Sequence, residues 1–159
     1  GERARLNFFL VFQANALLSA SLAASFLVIC RDGRSGPGRR EAAAALLFLL
    51  SIAGEWTADR QLARFRDDPG NRGKTCRLGL WRFSRHPNYF FEWLHWWCYP
   101  ALAVGAAGWG WSLLGPALML VFLLTITGVA ATEAHARLTR PDYADYQRTT
   151  SMFLPWFPG

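Results

Sequence analysis

Apolar residues in this chain come in long blocks, not in the half-buried alternation of a soluble fold. Residues 8–30 carry no charge, and residues 42–52 are apolar except for Ser51. Between residues 94 and 122 only His95 and Ser112 are clearly polar outside the aromatics. Blocks of about 20 apolar residues match the length of a bilayer-crossing helix. Four apolar segments are predicted, over 6–30, 41–65, 87–107 and 111–131, followed by a polar tail over 132–159. Turn formers separate them: Gly33, Gly36, Pro37 and Gly38 after the first, Pro69, Gly70 and Gly73 after the second, and Gly108-Trp109-Gly110 between the last two. Pro87 stands where the first residue of a helix belongs. There is no β alternation and no internal repeat. The expected architecture is all-α: a single polytopic helical membrane domain over 1–159 with about four membrane-embedded helices and a cytosolic face that binds a cofactor.

Polar residues inside these blocks refine the picture. Gln13, Asn15, Ser19, Ser21 and Ser25 dot the first segment, so one of its faces is expected to meet other helices or a polar cavity. The second segment changes character from Glu55 to Arg66, where it becomes amphipathic and charged, as a helix does on leaving hydrocarbon. Glu55 and Asp59 share a helical face there, with Arg66 further along it. Such a pair can accept hydrogen bonds from a ligand's hydroxyl or amide groups. It reads equally as a solvated face balanced by Arg60 and Arg64.

Composition narrows the partners. The chain is 52% hydrophobic and 15% aromatic yet carries a formal charge of +6. Lys74 is the only lysine, and the rest of the positive charge is arginine, whose planar fork suits phosphate. The cations lie between apolar spans, so anionic lipid headgroups or a phosphate-bearing cofactor are favoured over nucleic acid. Arg31, Arg34, Arg39 and Arg40 read equally as orientation markers. The larger cluster, Arg72, Lys74, Arg77, Arg82 and Arg85, is placed in the cytoplasm, and the hairpin of the last two segments returns the tail to that side. Cys30, Cys76 and Cys98 suggest neither a disulfide framework nor metal ligation, and His86, His95 and His135 have no partners at ligand spacing, so no metal is expected. With no G-x-G-x-x-G and no P-loop, a nucleotide would bind outside a Rossmann fold. No cleavable signal peptide is evident, and the chain reads as the C-terminal part of a longer protein.

The richest stretch is Gly79-Leu-Trp-Arg-Phe-Ser-Arg-His-Pro-Asn-Tyr-Phe-Phe-Glu-Trp93. It sets Arg82, Arg85, His86, Asn88, Tyr89 and Glu92 at the mouth of an apolar segment, where ionisable groups are costly unless they bind something. Arginines beside the free N–H groups of a helix start make an anion site, although a capped helix is the plainer alternative. The tail adds Glu133, His135, Arg137, Tyr143 and Tyr146, which read either as a shared pocket wall or as a helical ion pair and interfacial anchors.

At these residues the chain resembles the C-terminal half of the steroid 5α-reductase-like membrane reductases, closest to their bacterial branch. The matching pieces are Glu55-x-x-x-Asp59, Gly79-Leu-Trp-Arg-x-Ser-Arg-His-Pro-Asn-Tyr-Phe-x-Glu92, Gly128-x-x-x-x-Glu133, Tyr143-x-x-Tyr146 and Arg148-Thr-x-Ser-x-Phe-Leu-Pro-Trp156. The resemblance implies NADPH bound at the cytosolic end by Asp59, Arg66, Asn88 and Glu92, with Arg82, Arg85, His86, Tyr89, His135 and Tyr146 as neighbours. It implies hydride transfer to an activated C=C bond of a lipophilic substrate (steroid-like, isoprenoid or fatty) in a bacterial inner membrane, with Tyr89 as a candidate proton donor. In the relatives, groups that polarise the substrate come partly from upstream helices, and only one apolar span precedes Glu55 here.

Two other readings compete. Isoprenylcysteine carboxyl methyltransferases also show Arg-His-Pro-x-Tyr, a later glutamate and a tyrosine-bearing tail, and they bind S-adenosylmethionine. The Glu55/Asp59 and Asn88/Glu92 pairs favour the reductase. A membrane anchor would use its arginines only for lipid headgroups.

Overall fold

Two helices of 29 residues each, α1 (Glu2–Cys30) and α2 (Arg39–Asp67), are the longest elements of the protein. Each is about 43 Å long at the usual helical rise. The computed structural model describes residues 2–34, 36–126 and 128–159. Gly1, Ser35 and Thr127 lie outside the described residues, as do the side chains of 2–4, 6, 7, 10, 11, 14, 17 and 126. Among the described residues the chain is all-helical, with no strand.

Asp32 organises the loop between α1 and α2. It binds the guanidinium of Arg34 at 2.8 Å and also that of Arg40. Those hydrogen bonds, Arg34's foremost, hold its carboxyl down at about 2 although burial opposes them. Glu41 pairs with Arg40 and accepts the Gly38 N–H at 2.7 Å, closing the first turn of α2. Arg34 also donates to the Val104 carbonyl at 2.9 Å. The loop therefore lies at the end of the molecule reached by the third apolar segment, and the Glu55–Asp67 end of α2 lies at the other.

That third segment is not one helix. It divides into α3 (Pro87–Trp96) and α4 (Cys98–Ala103). Pro100 has no N–H to give the Trp96 carbonyl, and its ring crowds that oxygen, so the helix breaks at Trp97. The fourth segment is also composite. A 3₁₀ turn (Trp109–Leu113) leads into α5 (Leu114–Val121), a π turn (Phe122–Ile126) and α6 (Val129–Thr139). At Gly128 a Cβ would lie 2.2 Å from the Leu123 carbonyl oxygen, so only glycine permits this close backbone approach.

The expectation of about four spanning helices is corrected accordingly. Among the described residues two helical runs are long and apolar enough to cross a membrane, Arg39–Asp67 and Trp109–Thr139. Leu18–Cys30 is a shorter apolar helix, and 87–107 loses its continuity at Trp97. In α2 only 17% of the most apolar window is buried inside the protein, whereas a soluble core helix would be mostly covered. Leu46, Leu49, Leu50 and Ile52 remain exposed, which points to a membrane location.

Ser25 meets another element as expected of the polar face of α1: its hydroxyl, fully buried, donates to the Ser112 carbonyl at 3.0 Å. Helix α2 packs most extensively on α3. The two approach closely at Gly54, where a Cβ would sit 2.3 Å from the Phe91 ring. The chain finishes with α7 (Tyr143–Thr149) and a tail that crosses the turn before α3. Arg85 N–H donates to the Ser151 carbonyl and Trp156 N–H to the Phe83 carbonyl, both at 2.8 Å. Replacing Gly54 by Val is expected to lower stability by about 1–3 kcal/mol through overpacking. Thermal unfolding in detergent would show this, with partial recovery when Phe91→Ala is added.

Candidate functional site

The turn before α3 is held by hydrogen bonds that decide which side chains face inward. Gln61 on α2 accepts the Leu80 N–H at 2.8 Å. Gly79 has φ +57, and any Cβ there would fall 2.4 Å from the Gln61 side chain. Trp81 turns in and donates its indole N–H to the Ala58 carbonyl at 2.9 Å. Tyr146 on α7 is buried and directs its hydroxyl at the Trp81 carbonyl and, at 3.1 Å, the Ser84 carbonyl. Ser84 donates to the Phe153 carbonyl at 2.8 Å and accepts the His86 N–H at 3.1 Å.

Arg85 forms the centre of this region. Its Nε lies 2.8 Å from Glu133 on α6, and both side chains are about nine-tenths buried. Its Nη1 donates to the carbonyls of Gln147 and Thr150 at 2.8 Å each. The Glu133 carboxylate also meets His86 Nε2 at 3.3 Å and accepts from the Gln147 amide. Arg137, expected as its helical partner, sits at 3.9 Å and is mostly exposed. Burial holds His86 below the ordinary imidazole value; Glu133 pulls the other way and Arg85 adds to the lowering. Burial and the neighbouring Glu133 push the Tyr143 phenol up to about 12.

Between α2, α3, α6 and α7 lies a cavity of about 510 Å³. Eight of the ten predicted cofactor residues line it: Asp59, Arg66, Arg85, His86, Asn88, Tyr89, His135 and Tyr146. Asn88 donates through Nδ2 to Asp59 at 3.1 Å. That bond orients the amide and leaves Asn88 Oδ1 buried with no partner among the described residues, a rare state for a buried acceptor. His86 and Tyr89, both in the wall, lie parallel with ring centroids 5.3 Å apart.

The DUF1295 family model, described as a protein of unknown function, matches residues 1–150. The chain belongs to this family. Neither a curated protein nor a solved structure matches it.

In this DUF1295 chain two predicted site residues lie elsewhere. Arg82 lines a separate cavity with Arg77, Leu78, Gly79, Thr149, Thr150 and Pro158. In the 3₁₀ turn (Gly79–Arg82) Trp81 is the buried residue, so its neighbour Arg82 is carried to the other face. Glu92 does not line the cavity; it sits one turn along α3, within electrostatic reach of Glu55 and Asp59. Glu55 is likewise outside the wall while Asp59 is in it. Arg85 and Tyr146 line the cavity but are engaged in holding it together.

Sequence reasoning missed Thr75, Cys76, Trp81 and Arg140 as wall residues, and Glu133 as the partner of Arg85; Tyr143, a pocket-wall residue in one of two alternative readings, does line the cavity. Thr75 reaches Asp142 through its N–H at 3.1 Å and its hydroxyl at 2.7 Å. Arg77 binds Asp145 at 2.9 Å. These bonds bring the tail against the loop after α2, and nothing in local spacing announced them. The one available signal was Tyr143-x-x-Tyr146, whose two tyrosines are both buried against the site.

Glu133→Ala is expected to cost about 3 kcal/mol because it strands a buried guanidinium. Arg137→Ala, an exposed partner, is expected to change stability by less than about 1 kcal/mol. Denaturant or thermal melts of the two variants compare them directly. A second outcome concerns pH. The unfolded chain takes up the His86 proton near the ordinary value of about 6.5, before the folded one does. Stability is thus intact above that value and falls as pH drops below it. Replacing His86 by Gln is expected to flatten that part of a Tm-against-pH profile.

Proposed function

We propose that this protein is an NADPH-dependent membrane reductase that transfers hydride to an activated C=C bond of a lipophilic substrate. The observation that carries the reading is the cavity wall itself. It combines the unpaired cations Arg66 and Arg140 with the stranded acceptor Asn88 Oδ1 and the His86–Tyr89 face. A dinucleotide offers the matching parts: phosphates for guanidinium groups, an amide N–H for Asn88 Oδ1 and a flat ring for the aromatic wall. The residues present thus fit the group. Membership of DUF1295, a family associated with steroid 5α-reductase-like proteins, supports the same direction.

Bound NADPH would supply the hydride. The protein's residues bind, orient and exclude water. Asp59 fixes the Asn88 amide so that its oxygen faces a ligand donor, while Arg66 takes an anionic group. Tyr89, at the first turn of α3, is the candidate for delivering a proton beside the transferred hydride. The apolar faces of α2 and of the run Trp109–Thr139 offer a route for a substrate held in the bilayer. The concentration of cations at the cavity end of α2 supports a reading in which the site faces the cytoplasm from a bacterial inner membrane.

The methyltransferase reading is less favoured, because S-adenosylmethionine offers these arginines one carboxylate and no phosphate, whereas a dinucleotide offers several anionic oxygens. Titration of detergent-solubilised protein decides between them. NADPH is expected to bind saturably, and Arg66→Ala or Asn88→Ala to weaken it roughly tenfold or more, the scale of a charged or buried hydrogen bond. Tight S-adenosylmethionine binding without response to NADPH would favour the methyltransferase, and no saturable nucleotide binding would favour the anchor.

A further inference from the structure

The open cleft that receives Arg82 holds about 480 Å³ and shares no wall residue with the candidate cofactor cavity. Beside it the tail folds back as a loop that leaves large apolar side chains uncovered: Leu154, Trp156 and Phe157 are 57%, 72% and 77% exposed. We propose that this cleft and the tail loop form a binding site for an anionic phospholipid, with Arg82 on the headgroup phosphate and the tail side chains against the acyl chains. The proposal does not depend on the cofactor reading. It gives a role to the cation that the Gly79–Arg82 turn carries to the far face.

The fold imposes that exposure. Besides the Arg85–Ser151 and Trp156–Phe83 bonds, the Phe153 carbonyl accepts the Ser84 hydroxyl at 2.8 Å and the Gly159 N–H donates to the Thr149 carbonyl at 3.1 Å. Phe153 is buried against Phe90 and Trp93 of α3, with ring centroids 6.0 and 5.7 Å away. Phe157 meets the Phe83 ring edge-on. A loop tied down at both ends and in the middle holds Trp156 and Phe157 outward, and a contiguous apolar surface marks a contact with something apolar. Its depth favours lipid. The Trp81 indole bonds the Ala58 carbonyl of α2, which sets the turn beside Trp56. Trp56 is exposed, with the Arg60 guanidinium 4.9 Å from its ring centre. An exposed tryptophan where a helix changes from apolar to charged marks the headgroup level of a bilayer. Phe83, which holds Trp156, stands two residues from Trp81, so the tail lies near that level.

The charge of the cleft selects among lipids. Arg77 is compensated there: it binds Asp145 at 2.9 Å and donates to the Asp142 carbonyl at 2.9 Å. Asp145 also holds Arg148, and the Asp142 carboxylate is taken by Thr75. Arg82 is exposed and, among the described residues, has neither an ion pair nor a side-chain hydrogen bond. Thr150 is buried and lines the cleft. Its N–H donates to the Tyr146 carbonyl at 3.0 Å and its carbonyl accepts from Arg85, while its hydroxyl has no partner among the described residues. A guanidinium and a free hydroxyl on one wall match the oxygens of a phosphate. A headgroup that brings its own cation finds no carboxylate in this wall to receive it, whereas a net negative one neutralises Arg82. Cations beside apolar and aromatic side chains at a membrane boundary hold anionic lipid through both terms at once.

The test reconstitutes the chain in phosphatidylcholine vesicles and adds brominated phosphatidylglycerol or brominated phosphatidylcholine, whose bromines quench tryptophan on contact. The signal is the part of the emission that Trp156→Phe removes. That part is expected to be quenched by about fivefold less brominated phosphatidylglycerol than brominated phosphatidylcholine, the scale of one arginine near an anionic surface. Arg82→Gln is expected to abolish the preference and Arg82→Lys to keep part of it. The Arg82 side chain is exposed and unpaired, so both variants are expected to melt with the parent in detergent. Equal quenching by the two lipids in the parent would overturn the headgroup site. So would an unchanged preference in Arg82→Gln, which would pass the lipid to other cations. Quenching of Trp156 by neither lipid would put the tail in water and remove the whole proposal. A last arm adds inorganic phosphate at the concentration of the phosphatidylglycerol. Displacement of the lipid would assign the cleft to a free anion and overturn the proposal; persistence of the quenching supports it. None of these outcomes bears on NADPH binding.

Discussion

Arg85 and Glu133 meet at 2.8 Å with almost no water around them. Two charges removed from solvent are tolerated only if their other hydrogen-bonding positions are filled. Here most of them are: Arg85 gives its Nη1 donors to the Gln147 and Thr150 carbonyls, and Glu133 accepts from Gln147 while meeting the His86 ring. Arg85 precedes α3, Glu133 is on α6, and the two carbonyls close α7. One ion pair therefore joins three segments that are far apart in sequence and sets the floor of the cavity.

This arrangement divides the arginines by role. Arg77 and Arg85 are tied to carboxylates and hold the tail in place. Among the described residues Arg66, Arg72 and Arg140 have no such partners, and they line cavities. At the opposite end of α2, Asp32 and Glu41 neutralise Arg34 and Arg40 within a single loop. The two basic regions of the sequence are thus physically unlike: the first pairs two of its four arginines within one loop, whereas the second turns cations toward cavities.

Legibility in the sequence followed how local each feature is. The helix start at Pro87 and the charged end of α2 were readable because both rest on spacing within one turn or two. Asp59 and Asn88 were each placed by such spacing, although their 3.1 Å contact joins two helices. Arg82 was assigned to the site because it stands in the richest motif. A tight turn that buries Trp81 sends the adjacent side chain to the far face, and proximity in sequence misled. The break after Trp96 had a local cause in Pro100, yet continuous hydropathy masked it. Thr75, Cys76 and Arg140 reached the wall because the Thr75–Asp142 bonds bring the tail against the loop after α2, a contact with no periodic trace.

The sequence by itself determined an all-helical chain with long lipid-compatible faces and a dense polar run at the mouth of α3, because hydrophobic blocks, glycine turns and proline positions act over a few residues. The tertiary structure alone decided which cations keep their charge for a ligand. That choice depends on which carboxylates and carbonyls arrive from the tail, and pairing across some 50 to 70 residues (Arg85 with Glu133, Thr75 with Asp142) is settled by packing and desolvation, not by any local pattern.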